Sequence, residues 1–164
     1  MIRWVADTGP VLHLAEAKAI DLLPLLGEVV LPPAVHEELS RLRSPVSLPM
    51  PLRVEPLNDR YEAKALDWCK AGLVDRGESH AIALAQQMGA DILLTDDAAA
   101  RLLATTLGLT ARGSLGVVLW LAGQRRIGCA EATQHLESLF CTSLWVSARV
   151  VAEARAALEQ ISKS

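Results

Sequence analysis

Short apolar runs alternate with longer helical stretches along this chain, and few folds accommodate that alternation. IRWVA (2–6), EVVL (28–31), DILLT (91–95) and LTA (109–111) have the length and apolar content of buried strands, and RVE (53–55) is a weaker fifth candidate. When helices separate strands in this way, the strands run parallel and the helices cover both faces of the sheet. The sequence therefore predicts one α/β domain, in which ligands bind beyond the carboxyl ends of the strands.

Helical segments fill the intervals between these runs and most of the last third of the chain. Gly89 marks the end of the clearest helix, 76–89, and the proline-rich stretch 44–52 predicts a loop. The other predicted helices are 10–18, 21–27, 33–42, 58–72, 97–108, 113–128, 131–139 and 147–161. The apolar segment 115–122 and the last helix could either cover the sheet or form a homodimer interface.

Length and composition favour a single unit. The 164 residues suit one domain, with a core at about 2–128 and a C-terminal helical extension at about 129–161. No signal peptide is visible and no apolar stretch is long enough to span a bilayer, so we expect no membrane association. The chain has three cysteines and no CxxC pair, which argues against zinc and favours a reducing, cytoplasmic compartment.

Acidic side chains stand at the ends of two predicted strands. Asp7 ends the first strand, and Asp96 and Asp97 follow the run DILLT, at the edge where a parallel sheet places its ligand. The alternative for each is a simple helix N-cap, a common position for aspartate.

Two glutamates lie on predicted core-facing stripes of helices. Glu38 shares its stripe with Val35 and Leu39, and Glu78 lies one turn before the apolar face of the helix 76–89. A carboxylate in such a position is costly unless its charge is compensated. For Glu78 the cost is milder, because the helix dipole favours acids in the first turn.

All these carboxylates map to one end of the predicted sheet. Crowded like charges raise one another's pKa and cannot all ionise unaided. A hard divalent cation removes the conflict, and Mg²⁺ or Mn²⁺ suits carboxylate and water ligands best. Because a bound cation cancels acidic charge, the net charge of −3 and the pI near 5.8 argue only against a generally basic nucleic-acid binder.

Four segments in this order resemble the PIN-domain family, in its VapC-like branch of toxin-type ribonucleases. They are DTGP (7–10) after the first strand, PPAVHEEL (32–39), GESHAIALA (77–85) and GADILLTDD (89–97). GSLGVVLWLAGQRRIG (113–128) resembles the helix that follows the last strand in that branch. The resemblance covers about residues 2–128. No single motif is specific, but four motifs in this order and at this spacing make the resemblance strong.

The resemblance implies a PIN-like fold with a five-stranded parallel sheet, a metal-dependent endoribonuclease and, in the toxin branch, a small antitoxin protein that blocks the site. The family's acids fall on Asp7, Glu38, Glu78 and the Asp96/Asp97 pair. Asp97 is favoured as the fourth acid because the family often has Thr-x-Asp after this strand, and Thr8 matches its hydroxyl residue beside the first acid. In this interpretation Mg²⁺ or Mn²⁺ held by these residues activates a water against an RNA phosphodiester.

Two other phosphoryl-transfer folds fail on individual residues. A response-regulator domain needs an acidic pair after the first strand and a lysine after the last, whereas no lysine lies between Lys70 and Lys163. A haloacid-dehalogenase phosphatase needs a second aspartate where Gly9 stands. The alternative that stays open is a PIN scaffold that acts as a binding or regulatory module with weak or no catalysis, which the acidic pI supports.

Basic, aromatic and histidine residues give weaker signals. Five arginines could contact RNA phosphates, namely Arg41, Arg43, Arg76, Arg101 and Arg112. Any one of them is more often an exposed charge that aids solubility. The four tryptophans, Trp4, Trp68, Trp120 and Trp145, lie in apolar stretches. We expect them in a core or an interface rather than as platforms for base stacking. His13 and His80 lie close to the candidate acids in sequence, but we expect no catalytic role for either.

Overall fold

In the computed structural model, which describes residues 1–49 and 52–164, the strands form a five-stranded sheet in which all neighbours are parallel. The strands are β1 (Arg3–Ala6), β2 (Glu28–Leu31), β3 (Arg53–Val54), β4 (Ile92–Leu94) and β5 (Thr110–Arg112). Their order across the sheet is β3-β2-β1-β4-β5. The predicted α/β fold is confirmed, and each predicted strand is present to within one residue at either end.

Helices flank this sheet. In chain order they are α1 (Thr8–Glu16), a 3-10 helix (Ile20–Leu26), α2 (Pro33–Ser40), α3 (Asp59–Lys70), α4 (Arg76–Met88), α5 (Ala98–Thr106), α6 (Ser114–Gly123), α7 (Cys129–Phe140) and α8 (Ala148–Ser162). The segment predicted at 21–27 is a 3-10 helix that contains Pro24, which has no N–H for a helical hydrogen bond. Of the predicted loop 44–52, residues 44–49 form no helix or strand, whereas Met50 and Pro51 lie outside the described residues.

The C-terminal helices complete the packing around α6. The buried side of α6, which contains Val117, Val118 and Leu121, faces α1 and the 3-10 helix as well as α7 and α8. Much of the apolar surface that the sequence offers for a dimer is thus covered within the chain. Among residues 1–49 and 52–164, no helix is long and apolar enough to cross a membrane.

The tryptophans divide into packed and exposed positions. Trp4 is fully buried in β1 and its ring meets that of Trp120 edge to face, with 5.2 Å between centroids. Trp68 is partly buried against the core. Trp145 is 85% exposed, so a core position is wrong for this residue. Its apolar neighbours in sequence belong to the turn between α7 and α8, where a short apolar run need not enter the core.

The connections of β1 fix where a ligand would bind. The chain leaves β1 toward β2 and β3 on one side, then returns past β1 to form β4 and β5 on the other. Ala6 pairs with Leu94, and the backbone N–H of Asp7 donates to the Leu94 carbonyl at 2.9 Å. The residues that follow β1 and β4 therefore meet at the point where the strand order reverses, which is the usual ligand position in open parallel sheets.

Candidate functional site

A cavity of about 470 Å³ opens at the carboxyl ends of β1 and β4. Its walls include all the acids and the hydroxyl residue predicted from sequence, namely Asp7, Thr8, Glu38, Glu78, Asp96 and Asp97. These residues come from the ends of two strands and from α1, α2 and α4. The structure thus brings the predicted site residues to one place, and their roles as ligands and catalysts stay predictions.

Asp7 lies at the floor of this cavity and is only 4% exposed. It caps α1 by accepting a hydrogen bond from the Thr8 backbone N–H at 2.7 Å, and it accepts a second from the Thr95 hydroxyl at 3.0 Å. The pKa of Asp7 is raised to about 7, mainly by burial and also by the nearby charges of Glu78 and Asp75, whereas both hydrogen bonds oppose the shift. The cap predicted as an alternative is present, but it does not account for a carboxylate that burial makes hard to ionise.

Glu38 is held between α1 and α4. The Thr8 hydroxyl donates a hydrogen bond to Glu38 Oε2, and the same carboxylate lies against Gly77 in the first turn of α4. A β-carbon at Gly77 would lie 2.6 Å from Glu38 Oε1 and 2.7 Å from its Cδ. Only glycine leaves room for this carboxyl group in its present position, which explains why a residue of low helix propensity occupies the first turn of α4.

Glu78 forms a reciprocal capping box with Asp75. The Glu78 N–H donates to Asp75 Oδ1 at 2.9 Å, and the Asp75 N–H donates to Glu78 Oε2 at 2.9 Å. The pKa of Glu78 is raised to about 7, mainly by burial and also by the charges of Asp75 and Asp97, whereas the hydrogen bond from the Asp75 backbone N–H opposes the shift. Glu78 is therefore both a capping residue and one of a crowded set of acids.

Asp96 and Asp97 occupy different environments. Asp96 accepts hydrogen bonds from the Ser114 N–H at 2.7 Å and the Ser114 hydroxyl at 2.5 Å, and it lies 2.7 Å from His13 Nδ1. Asp97 is exposed and caps α5 through Oδ1, which accepts from the Ala100 N–H at 2.8 Å. Asp96 thus ties together α1, β4 and α6, whereas Asp97 has one oxygen turned to no donor among the described residues.

Several supporting residues were not singled out by the sequence. Asp75 lines the cavity, Thr95 holds Asp7, Ser114 holds Asp96 and Gly77 makes room for Glu38. The spacing D-x-x-E at 75–78 is a capping-box signature and could have identified Asp75. His13 also lines the cavity through its contact with Asp96, whereas His80 is directed at Glu62 of α3, 3.5 Å away.

The oxygen donors around this cavity fit a hard divalent cation in their chemistry. Glu38, Glu78 and Asp97 each present one carboxylate oxygen that accepts no hydrogen bond from the described residues. Asp7 and Glu78 have raised pKa values, which a bound cation would reverse. Within residues 1–49 and 52–164, no three His, Cys, Asp or Glu side chains are already spaced as a complete metal cage. A cation would therefore have to draw these carboxylates together and retain water ligands, as Mg²⁺ usually does.

Comparison with known proteins gives one result that covers most of the chain. The family model of the PIN domain matches residues 3–160, which include every residue of the cavity described above. Neither the comparison with curated proteins nor that with solved structures gives a match.

Proposed function

Because the chain belongs to the PIN-domain family, whose members are typically metal-dependent nucleases, we propose that it is a Mg²⁺- or Mn²⁺-dependent endoribonuclease of the VapC-like toxin branch. The observation that carries this proposal is the convergence of Asp7, Glu38, Glu78 and Asp97 on one cavity at the strand switch point. In that branch the natural partner is a small antitoxin that covers the same cavity, and the compartment is the cytoplasm.

Each acid has a distinct part in this proposal. Glu38, Glu78 and Asp97 would hold the cation through their open oxygens, with buried Asp7 below them and Asp96 at the rim. The cation would supply a water of lowered pKa and neutralise charge on the phosphate. The chain's own contribution is orientation, because Thr8, Thr95 and the Asp75 backbone N–H hold Glu38, Asp7 and Glu78 by hydrogen bonds.

Cleavage of labelled single-stranded RNAs by the purified protein, in Mn²⁺, Mg²⁺ or EDTA, tests the proposal. We expect cleavage that requires metal and that falls by more than about 100-fold in Asp7→Asn, beyond the roughly 10–100-fold that loss of a supporting group costs. Asp21→Asn makes the same chemical change at an exposed residue outside the cavity and should cleave like the natural protein. Cleavage that is equally strong in EDTA would contradict the proposal.

A binding or regulatory module is the second candidate function. It is favoured by the acidic net charge of −3 and by acids that, among the described residues, are not already spaced to hold a metal ion. A folded protein that binds no Mn²⁺ in calorimetry and cleaves no RNA would favour this module over the nuclease.

Thr8 offers a test of how the acids are oriented. Thr8→Val keeps the shape of the side chain but removes the hydroxyl that donates to Glu38. We expect Mn²⁺ affinity, measured by calorimetric titration, to fall about 10–100-fold in Thr8→Val and to be kept in Thr8→Ser. Equal affinities in the two variants would mean that the hydroxyl does not position Glu38.

A further inference from the structure

A second cavity, also of about 470 Å³, adjoins the acidic cavity. Asp96, Leu144 and Trp145 are wall residues of both cavities, so the two cavities are neighbours. The second part lies between β5, the start of α6 and the turn before α8. Its volume is in the range that binds small organic ligands.

Trp145 stands at the junction of the two cavities. Its side chain is 85% exposed, although it is the largest apolar side chain in the turn between α7 and α8. An indole carries 150–250 Å² of surface, so leaving it in water forgoes a large hydrophobic gain. Proteins that bind single-stranded nucleic acid use exposed aromatic side chains beside basic residues to stack unpaired bases.

Two arginines line the wall of the second cavity. Arg112 has an Nε atom that is inaccessible to water and has no hydrogen-bond partner among the described residues. Arg101 donates to the Thr95 carbonyl at 3.2 Å, and its guanidinium lies close to the backbone of Gly113. Within the described part of the chain neither arginine has a carboxylate within 4.0 Å, in contrast to Arg155, which makes two bonds to Glu137. Their positive charge is therefore available to an anionic ligand.

We propose that this second cavity binds the nucleotide next to the scissile phosphate, with Trp145 stacked on an unpaired base and Arg112 and Arg101 contacting the flanking backbone phosphate. The inference rests on the proposed ribonuclease function and adds to it a subsite and a preference for single-stranded RNA, because only an unpaired base can stack on a protein ring in this way. It also accounts for RNA binding beside the acids in a chain of net charge −3, because two arginines and a single carboxylate, Asp96, line the cavity that the strand would enter.

Fluorescence anisotropy with a short single-stranded RNA tests this assignment. The parent protein is Asp7→Asn in Mg²⁺, which is not expected to cleave, and the second ligand is the same strand with abasic riboses, which keeps the phosphates and removes the bases. We expect Trp145→Ala to weaken binding of the normal strand about 5- to 100-fold and Trp145→Phe to weaken it much less. Binding of the abasic strand should be insensitive to Trp145→Ala. RNA should also quench tryptophan fluorescence in the parent but far less in Trp145→Phe.

The arginines have a different signature. Arg112→Gln should weaken both strands alike and reduce the slope of log affinity against log salt by about 1. Matched controls are Leu102→Ala, which removes a 71% exposed side chain that lines neither cavity, and Arg126→Gln, at the opposite end of α6. Both should bind like the parent.

The outcomes separate this inference from the function on which it rests. Asp7-dependent cleavage with binding that is unchanged in Trp145→Ala would overturn the subsite and leave the nuclease standing. A loss in Trp145→Ala that is equal on normal and abasic strands would also overturn it, because stacking would not be the cause. Base-dependent binding through Trp145 without metal-dependent cleavage would support the subsite and overturn the nuclease. No binding of RNA by the parent protein would overturn the subsite directly.

Discussion

Asp7→Asn is expected to make the metal-free protein more stable at pH 8 than the natural sequence, although it removes cleavage. The pKa of Asp7 is raised from 3.8 to about 7 by burial, so the folded state binds a proton that the unfolded chain has already lost. Between about pH 4 and pH 7 the free energy of unfolding of the natural protein therefore falls as pH rises. Asparagine is neutral throughout, keeps an oxygen for the Thr8 N–H, and has no such dependence.

The expected size of this effect is large for a single substitution. Raising the pKa of a carboxyl group from 3.8 to about 7 corresponds to about 4 kcal/mol, and losing the hydrogen bond that the Thr95 hydroxyl donates to Asp7 lowers the net gain to about 2–4 kcal/mol. Below about pH 4 both proteins carry a neutral residue at this position, so the advantage of asparagine should disappear and only the cost of the altered hydrogen bond at Thr95 should remain. Urea unfolding in EDTA at a series of pH values between 4 and 8 measures the whole curve.

Metal should offset most or all of the stability advantage of Asp7→Asn. A ligand that binds only the folded state at 100 times its dissociation constant stabilises it by about 2.7 kcal/mol, and we expect this gain from Mn²⁺ in the natural protein and not in Asp7→Asn. Asp21→Asn, at an exposed position, should follow the natural protein under every condition. If Asp7→Asn were less stable than the natural protein at pH 8 in EDTA, the carboxylate would be a structural cap and the interpretation of Asp7 as an unstable, functional acid would be wrong.

The parts of the fold that follow from local pattern could be predicted. Strand and helix positions depend on side-chain periodicity and on caps such as Asn58 and Gly89, which are encoded within a few residues. The position of Asp7 could also be predicted, since a strand followed at once by a helix leaves its last residue at the sheet edge. These features require no knowledge of which segments meet in space.

The supporting contacts could not be predicted because they join residues far apart in the chain. Asp96 is held by Ser114, 18 residues away, and by His13, 83 residues away. The local sequence TDD (95–97) therefore does not show that Asp96 and Asp97 have different hydrogen-bond partners. For Trp145 the local sequence pattern itself was misleading. Its apolar neighbours Leu144 and Val146 indicate a buried run, but in a turn only some side chains face inward, and Leu144 is buried while Trp145 is not.

Gly77→Ala is expected to disable the site without unfolding the protein. Gly77 lies in α4 with an ordinary helical conformation, so alanine should favour the helix by up to about 1 kcal/mol. Its β-carbon would lie 2.6 Å from Glu38 Oε1, too close to be tolerated. The group that must move is the end of a flexible side chain, and we therefore expect a change in the free energy of unfolding of less than about 1 kcal/mol but a loss of at least 10- to 100-fold in Mn²⁺ affinity and cleavage.

Gly123→Ala is the matched control, because no heavy atom lies within 4 Å of a β-carbon there and its φ is not positive. It should be as stable as the natural protein or slightly more so, with unchanged cleavage. Introducing Gly77→Ala into a Glu38→Gln protein isolates the mechanism: if the alanine acts only by displacing Glu38, it should cause little further loss of metal affinity. If the losses in the double variant are additive, alanine acts by distorting α4 and with it Glu78, and not by displacing Glu38.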